Sequence, residues 1–380
     1  MKRRNFLFVL TAGTGLSLIG TKEIIKFKNS IKRKRFFRRR LLIIHLDGGN
    51  DGLFSFAPKN EDVLLKNRPK LMKALNQGVF WDNDVIINKN LTEFIELKSK
   101  GWLNLLPNVG YENPNTSHFI SKHIWETGSR PTKNNHEVGW IGQHLRSKIS
   151  GNDEIRKISL SFEEGNQLLF QNHDENYGSS FPNYNSKKIW KKELNKQIKN
   201  NRTDYLGFEK IFRELNHCNE LSNILQDIKP ANGYPKSELG NKLSTISSII
   251  KSEKPIDIFH LKHKGYDTHS GQKSRLNFLY ADLSKCLNTL AHDLNDMGEW
   301  NNTQILVFSE FGRTINENST GGTDHGTAGP VFVLGGKEIY DDLYSIKPSY
   351  ETFNIMGNPY LQFQINYQNI YRKLKKNWLV

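Results

Sequence analysis

The chain has 380 residues and a formal net charge of +15, and most of that charge lies near its N-terminus. Residues 1–40 hold 13 of the 54 lysines and arginines but only one of the 39 acids, which leaves 41 basic and 38 acidic side chains for the rest. A nearly neutral body offers no extended basic surface, so the composition argues against a nucleic-acid-binding protein. The length allows a sizeable core, and recurring apolar runs exclude wholesale disorder.

The first predicted element is an N-terminal export signal. Lys2, Arg3 and Arg4 precede an apolar stretch over residues 6–20, which has the length of a signal-peptide core and is short for a membrane span. The string RRNFL is similar to a twin-arginine signal. We therefore expect export by the twin-arginine machinery into the periplasm or cell envelope. The alternative is a membrane-anchoring helix with an ordinary basic start.

A basic flank follows the apolar stretch, with ten lysines and arginines between residues 22 and 40. This flank runs against the positive-inside rule for an anchor whose N-terminus stays in the cytoplasm. It suits contact with anionic lipid head groups, which predicts membrane association through the N-terminus. No small-x-small cleavage site follows Gly20, so signal cleavage stays open.

Short apolar runs that suit buried strands alternate with longer helical patterns after residue 40. The predicted strands are residues 41–46, 103–109, 155–162, 256–261, 303–308 and 330–334. Helical patterns cover residues 119–125 and 272–297, with a helical cap or insertion over residues 187–251 and a helical tail over residues 351–380. This order predicts an α/β domain over residues 41–350, with a mostly parallel sheet covered by helices on both faces.

Turns that carry acids or histidines lie beside four of these strands, in the strings DGGNDG, GYDTH, SEFGR and GTDHG. Ligands of doubly wound folds bind beyond the carboxyl ends of the strands, where such turns meet. Carboxylates and imidazoles brought together in this way suit a divalent metal. The predicted metal ligands are Asp47, Asp267, His269, Glu310, Asp324 and His325.

Each of these turns also has an ordinary interpretation when it is taken alone. The string DGG is a common turn, and Asp267 with His269 could be a helix cap and a surface histidine. Glu310 could simply pair with Arg313. The coincidence of four such turns beside strand ends favours the metal site.

A hydroxyl group is predicted at the start of the helix over residues 119–125, where the sequence reads NTSH. Thr116 or Ser117 would lie at the helix N-terminus, whose backbone N–H groups and dipole favour an anion. Either hydroxyl is therefore a candidate nucleophile. The alternative is that it only caps the helix.

Several strings together resemble the bacterial domain-of-unknown-function family 1501. They are the twin-arginine leader, LDGGNDGL, NTSHF, IWETG, GYDTHSGQ, SEFGRT and GTDHGTAGPVFVLGG. The resemblance extends from residue 41 to about residue 348, and its last three strings are the most specific. That family is itself similar to the alkaline phosphatase and sulfatase superfamily. The resemblance therefore implies an alkaline-phosphatase-like parallel sheet and a two-metal site that hydrolyses phosphate or sulfate esters.

The resemblance also implies roles for individual residues. Asp47 resembles the acid that binds the second metal, and Ser117 or Thr116 resembles the nucleophile that touches the same ion. Independently of the resemblance, Arg313 could hold a substrate oxyanion by bidentate contact. Three residues resemble the ligands of the first metal, although the gap between the first two is shorter than is usual. They are Asp267, His269 and His325.

One departure from the superfamily pattern affects the second metal. Glu310 stands where the superfamily has an Asp followed by a His, and here Phe311 follows instead. Either another residue replaces the missing ligand or only one metal binds well. The candidates for this replacement are Asp51, His118 and Asp324.

The resemblance implies an exported, metal-dependent hydrolase of phosphate or sulfate esters. One or two divalent ions are expected, because oxygen ligands allow Mg, Ca or Mn while His269 and His325 also allow Zn. The exported location suggests an anionic ester on a polysaccharide or a lipid, and the nearly neutral body argues against nucleic acid as a partner.

Three alternatives stay open. The first is a non-catalytic protein of the same fold that binds an anionic glycan or a protein partner at the cell surface. The second is a membrane-surface scaffold that acts through its basic leader. The third is a metal-free Ser-His-Asp hydrolase, which is disfavoured because no G-x-S-x-G string surrounds Ser117.

Overall fold

The structure is a computed structural model that describes residues 39–59, 62–75, 77–131, 138–148, 159–173, 175–181, 225, 227–336, 339–344, 346–355 and 358–380. The predicted export signal, nearly all of its basic flank and most of the predicted helical insertion lie outside the described residues. Among the residues that are described, no helix is long and apolar enough to cross a membrane.

Strands form the framework of the fold. In chain order they are β1 Arg40–Asp47, β2 Phe56–Pro58, β3 Val79–Phe80, β4 Val85–Ile87, β5 Leu103–Gly110, β6 Ser159–Ser161, β7 Gln171–Asn172, β8 Glu175–Asn176, β9 Gly178–Ser180, β10 Ile258–Lys264, β11 Thr303–Phe308, β12 Arg313–Glu317, β13 Thr323–His325, β14 Gly329–Gly335, β15 Thr352–Ile355, β16 Asn358–Leu361 and β17 Ile365–Asn366. The central sheet has the order β17-β5-β14-β11-β1-β10-β6-β9. The remaining strands pair in small sheets beside it.

The central sheet is mostly parallel, because all of its neighbouring strands run in the same direction except at β14. Strand β14 runs antiparallel to both of its neighbours, β11 and β5. The predicted α/β class with a mostly parallel sheet is confirmed. Five of the six predicted strands match observed ones within a few residues, and the sixth is described only from Ser159 onward.

Helices cover both faces of this sheet. They are α1 Gly52–Ser55, α2 Asp62–Asn67, α3 Pro69–Leu75, α4 Glu93–Ser99, α5 His118–Thr127, α6 Trp140–Lys148, α7 Glu238–Lys251, α8 Gln272–Asp296, α9 Asp341–Tyr344 and α10 Tyr367–Lys373. Helix α8 buries leucines at helical spacing, so replacing a fully buried one such as Leu283 by alanine would cost about 2–5 kcal/mol. Helix α7 falls within the predicted cap, yet it packs in the main core through Leu243 and Ile246.

Strand β1 is a central strand that lies between β10 and β11. This position suits its sequence, because its apolar side chains pack on both faces of the sheet. Leu42 and Ile44 belong to the core cluster that includes α7 and α8. The side chains that alternate with them, Ile43 and His45, lie beside Trp125 of α5 on the opposite face. This alternation places helices α5 and α7 on different sides of the same strand.

The reversed direction of β14 decides where the candidate site forms. The carboxyl ends of strands β1, β10 and β11 lie in one row, and we call this row of strand ends the edge of the sheet. An antiparallel neighbour such as β14 must begin at that edge. The turn that precedes β14 therefore meets the turns that follow the other three strands. Strand β5 also ends there, because Val109 pairs with Gly329, and the chain then leads into α5.

The C-terminal segment differs from the predicted helical tail. Strands β15 and β16 form a hairpin, and β17 pairs with β5 as the outermost strand of the central sheet. Among the described residues of this segment, only those from α10 onward are helical. The pairing of β17 with an existing strand supplies the extended conformation that local sequence alone does not predict.

Candidate metal centre

The six predicted metal ligands meet at this edge of the sheet. Asp47 ends β1, Asp267 follows β10, and Glu310 follows β11. A direct contact between His269 and Asp324 links the remaining turns. The chain thus brings together residues that are up to 278 positions apart, from Asp47 to His325. Two separate clusters form there.

The first cluster is centred on the carboxylate of Asp267. The Nε2 atoms of His269 and His325 each lie 3.1 Å from its Oδ1 atom, and the two Nε2 atoms lie 2.9 Å from one another. His118 completes the group, with its Nε2 atom 3.5 Å from Asp267 Oδ2. We call Asp267, His118, His269 and His325 the histidine centre.

The three imidazoles of the histidine centre are held in the same way. The Nδ1 atom of His325 lies 2.7 Å from the carbonyl oxygen of Thr116, and that of His269 lies 3.0 Å from Asp324 Oδ1. The Nδ1 atom of His118 lies 2.8 Å from Glu310 Oε1. Carbonyl and carboxylate oxygens only accept hydrogen bonds, so each Nδ1 carries the proton. Each ring is thereby oriented so that its Nε2 atom faces Asp267.

Electrostatics favour the neutral form of His325 and the charged form of Asp267. Burial lowers the pKa of the His325 imidazole below its ordinary value. Burial raises the pKa of the Asp267 carboxyl, but hydrogen bonds from Arg313 and His325 outweigh it and lower the pKa to about 2. A neutral imidazole and an ionised carboxylate are the forms that bind metal ions.

The second cluster is centred on Glu310, which is buried. Its Oε2 atom lies 2.9 Å from His45 Nε2, and the backbone N–H of Gly48 donates to its Oε1 atom at 3.1 Å. Burial raises the pKa of Glu310, but the charge of His45 and the His118 hydrogen bond outweigh it and hold the pKa well below its usual value. We call His45, Asp47 and Glu310 the Glu310 cluster; their ligand atoms all lie within 4.8 Å of one another.

Helix α5 supplies a cation that sequence reasoning missed. Lys122 Nζ contacts Asp47 Oδ1 and lies 3.8 Å from Glu310 Oε1. His118, Lys122 and Trp125 share one face of the helix at spacings of four and three residues, and all three approach Glu310. That spacing is the signal in the sequence, but it has meaning only once α5 is known to face the sheet edge.

Gly48 and Gly49 allow the turns of the two clusters to lie against each other. Both have positive φ angles, of 125° and 85°. A Cβ atom on Gly48 would lie 2.3 Å from the backbone nitrogen of Asp267. Glycine is therefore required at this position, since any side chain would push Asp267 away from the site.

Arg313 does not have the arrangement expected of a residue that holds an oxyanion. Its side chain is fully buried, and Nε donates to the carbonyl oxygen of Gly49 at 2.7 Å. Its Nη1 atom donates to Thr323 O at 3.1 Å and its Nη2 atom donates to Asp267 Oδ1 at 2.8 Å. These donors are used inside the protein, and one of them fixes the carboxylate of Asp267.

The predicted hydroxyl groups lie beside His118. Ser117 takes the N-cap position of α5, yet its side chain makes no capping hydrogen bond and is exposed. The cap interpretation therefore does not account for the Ser117 hydroxyl. Thr116 contributes its backbone carbonyl to His325.

The proposed replacements for the missing second-metal ligand differ in the structure. Asp51 is buried and accepts from both Arg68 Nη1 and Gln272 Nε2, so it is not a free ligand. Asp324 contacts the Nδ1 atom of His269, on the side of the ring that faces away from Asp267. Of the three, His118 is the one that contacts the Glu310 cluster, through its Nδ1 atom. The Phe311 ring packs against the His118 ring with centroids 4.8 Å apart.

The sheet and its acid-histidine edge define an α/β protein with a candidate metal centre. The family model described as "Protein of unknown function (DUF1501)" matches residues 241–338. The matched segment contains Asp267, Glu310 and His325, and the resemblance drawn from the sequence is confirmed over it. No curated protein matches the chain.

Solved structures that are similar to this chain include members of the alkaline phosphatase superfamily. Murine ectonucleotide pyrophosphatase/phosphodiesterase 5 is 13% identical with a TM-score of 0.31, over 72% of this chain and 57% of that one. A superfamily protein from Vibrio parahaemolyticus is 11% identical with a TM-score of 0.33, over 84% and 70%. Alkaline phosphatase from the Antarctic bacterium TAB5 is 13% identical with a TM-score of 0.34, over 78% and 92%. This chain thus spans little more than half the length of the murine protein.

Proposed function

We propose that this protein is a metal-dependent hydrolase of phosphate or sulfate esters whose divalent ion is held by the histidine centre. The observation that carries the proposal is the common arrangement of His118, His269 and His325. Each ring has its Nδ1 atom on an oxygen acceptor and its Nε2 atom toward Asp267. Imidazole nitrogens with such outer partners are typical of metal ligands.

The donor set fits a divalent ion chemically. Three imidazole nitrogens and one carboxylate suit Zn or Mn best, while Mg or Ca would prefer more oxygen ligands. The buried His118 Nε2 atom makes no hydrogen bond, which is the state expected of a metal ligand in a metal-free protein. When bound, the ion would act as a Lewis acid on an ester oxygen.

Ser117 is the proposed nucleophile. Its hydroxyl makes no capping hydrogen bond, and it precedes the first turn of the ten-residue helix α5. The N–H groups of that turn would bind the ester oxygens. Ser117 Oγ would form a bond to phosphorus or sulfur as the alcohol leaves, and water would then hydrolyse the seryl ester. Thr116 is the alternative nucleophile.

The proposed setting is the periplasm or the cell envelope. It rests on the twin-arginine-type leader and the basic flank in the sequence, which favour export and contact with anionic lipid. An ester on a cell-envelope polysaccharide or lipid is the corresponding substrate class.

A non-catalytic binding protein of the same fold is the second candidate. Arg313, the cation expected to contact substrate, is consumed by internal hydrogen bonds. Such a protein would bind metal and an anionic glycan or protein partner, but it would not turn over an ester.

The two candidates separate in one experiment on the full-length chain purified in detergent. Elemental analysis after dialysis against Zn or Mn measures bound metal, and 4-nitrophenyl phosphate, bis(4-nitrophenyl) phosphate and 4-nitrophenyl sulfate measure turnover. We expect bound metal and hydrolysis of at least one ester. Metal without any turnover would favour the binding protein, and no metal would reject the proposed centre.

Ser117→Ala tests the nucleophile in the same assay. Its kcat should fall by about 10³-fold or more with bound metal unchanged, because removing a nucleophile abolishes the covalent route. Ser129→Ala is the matched control, since Ser129 is also exposed and lies just beyond the other end of α5. Unchanged turnover by Ser117→Ala would reject this role and direct attention to Thr116.

A further inference from the structure

The Glu310 cluster has the residue types of a metal site, but a lysine ammonium lies between its two carboxylates. His45 Nε2 lies 2.9 Å from Glu310 Oε2, so the histidine of the cluster is already engaged by its glutamate.

The carboxylate of Glu310 is already occupied by donors. Its Oε1 atom accepts from His118 Nδ1 at 2.8 Å, and its Oε2 atom accepts from Ser309 Oγ at 3.1 Å as well as from His45. The backbone N–H groups of Gly48 and Gly49 complete its surroundings at 3.1 and 3.3 Å. Glu310 is therefore fixed in position by several donors.

Asp47 is the remaining carboxylate of the cluster, and it is in contact with Lys122. The Lys122 ammonium is half-buried between Asp47 and Glu310, so it lies where an ion held by these two carboxylates would have to lie. A divalent ion and an ammonium group cannot share that position, because they would need the same oxygen atoms and would repel each other.

We propose that the protein binds a single divalent ion in the histidine centre and that Lys122 serves as the second cation of the site in place of a second metal ion. This inference rests on the proposed function for its first ion only. The Glu310 cluster then acts as an internal support. Glu310 holds the proton of His118 Nδ1, and Lys122 balances the negative charges of Glu310 and Asp47.

The test counts metal ions in the full-length chain after dialysis against excess Zn or Mn. Wild type should bind one ion per chain. Lys122→Met should bind two, because removing the ammonium frees the position between Asp47 and Glu310 that a second ion would occupy. Lys122→Gln serves as a second variant that keeps a polar side chain if the methionine variant does not fold.

Lys373→Met is the matched control. The Lys373 side chain is 24% exposed against 27% for Lys122, and its ammonium also contacts a carboxylate, that of Asp342. It should bind one ion as wild type does. A second readout is the melting temperature: added Zn should raise it more in Lys122→Met than in wild type, because that variant leaves two carboxylates without their cation.

The outcomes separate this inference from the function on which it rests. Two ions in wild type would overturn the inference while leaving the proposed hydrolase intact. One ion in wild type and in both Lys122 variants would also overturn it, because Lys122 would then not be what excludes a second ion. No ion in wild type would reject the proposed metal centre and this inference together.

Discussion

The histidine centre and the Glu310 cluster lie side by side at one edge of the sheet, and both combine acids with histidines. In the histidine centre, oxygen acceptors hold the outer Nδ1 atoms, so the inner Nε2 atoms face Asp267. In the Glu310 cluster, the Lys122 ammonium lies between the carboxylates of Asp47 and Glu310. The same residue types thus form a candidate ligand set in one place and a charge network that already includes a lysine in the other.

The difference shows that the residue types alone do not define a metal site. What differs is that a lysine ammonium lies between the two carboxylates of the Glu310 cluster, whereas three imidazoles surround the carboxylate of the histidine centre. Glu310 belongs to both clusters, because it orients His118 on one side and pairs with His45 on the other. Variants of the two clusters should therefore differ in kind as well as in size.

The largest effect is expected for His325→Ala, which removes a ligand of the histidine centre. Affinity for Zn should fall by more than about 100-fold, which exceeds the usual loss from an outer partner. Calorimetric titration of the full-length chain measures it. His292→Ala is the control, because His292 is an exposed histidine that pairs with Glu96 away from the site. Equal losses in the two variants would contradict the assignment of His325.

Glu310→Gln should act on both clusters at once. The amide can accept at only one atom, so His118 loses its fixed orientation and Zn affinity should fall by about 10- to 100-fold. The free energy of unfolding should also fall by about 1–3 kcal/mol, because a buried donor is left without an acceptor. Urea denaturation measures the second effect. A loss of Zn affinity larger than that of His325→Ala would indicate that Glu310 is itself a ligand.

Asp324→Ala should weaken Zn binding by about 10-fold, because Asp324 orients His269 from outside the centre. Its side chain is exposed, so the free energy of unfolding should change by no more than about 0.5 kcal/mol. Unchanged Zn affinity would mean that His269 needs no orienting partner, or that it is not a ligand.

The smallest effect concerns acid stability without metal. The folded pKa of Asp267 is about 2 against an ordinary value of 3.8, so its stabilising contribution is present above about pH 4 and is lost as the pH falls toward 2. Wild type should therefore lose more stability than Asp267→Asn over this window, by less than about 1 kcal/mol because the carboxyl is half-exposed. Urea denaturation at pH 5 and at pH 2.5 tests it, and equal losses would contradict the Asp267 contacts.

Sequence patterns were sufficient to predict the sheet and the residues at its edge. Buried strands are short apolar runs, and Asp47 and Glu310 directly follow two of them. Asp267 and His325 are predicted because their turns lie beside strands that are easily recognised. The antiparallel direction of β14 was not predicted, yet it brings His325 to the same edge as the ends of the parallel strands.

The roles of Arg313 and Asp51 could not be predicted from sequence. Both are charged residues beside glycine-rich turns, and both are buried against partners that are far away in the chain. His118 was predicted only as one of three replacements and Lys122 was not predicted. Their spacing on a helix gains meaning only when tertiary packing brings that helix to Glu310.

The last part of the chain also determines when folding can finish. The Trp378 indole N–H donates to the carbonyl oxygen of Arg40 at 2.9 Å, which joins the first described strand to a residue 338 positions later. Trp378 is fully buried, so the position it fills beside β1 stays empty until the ribosome has released that residue. Nascent chains shorter than this should therefore remain substrates for chaperones, and the native domain should form only after synthesis has passed residue 378.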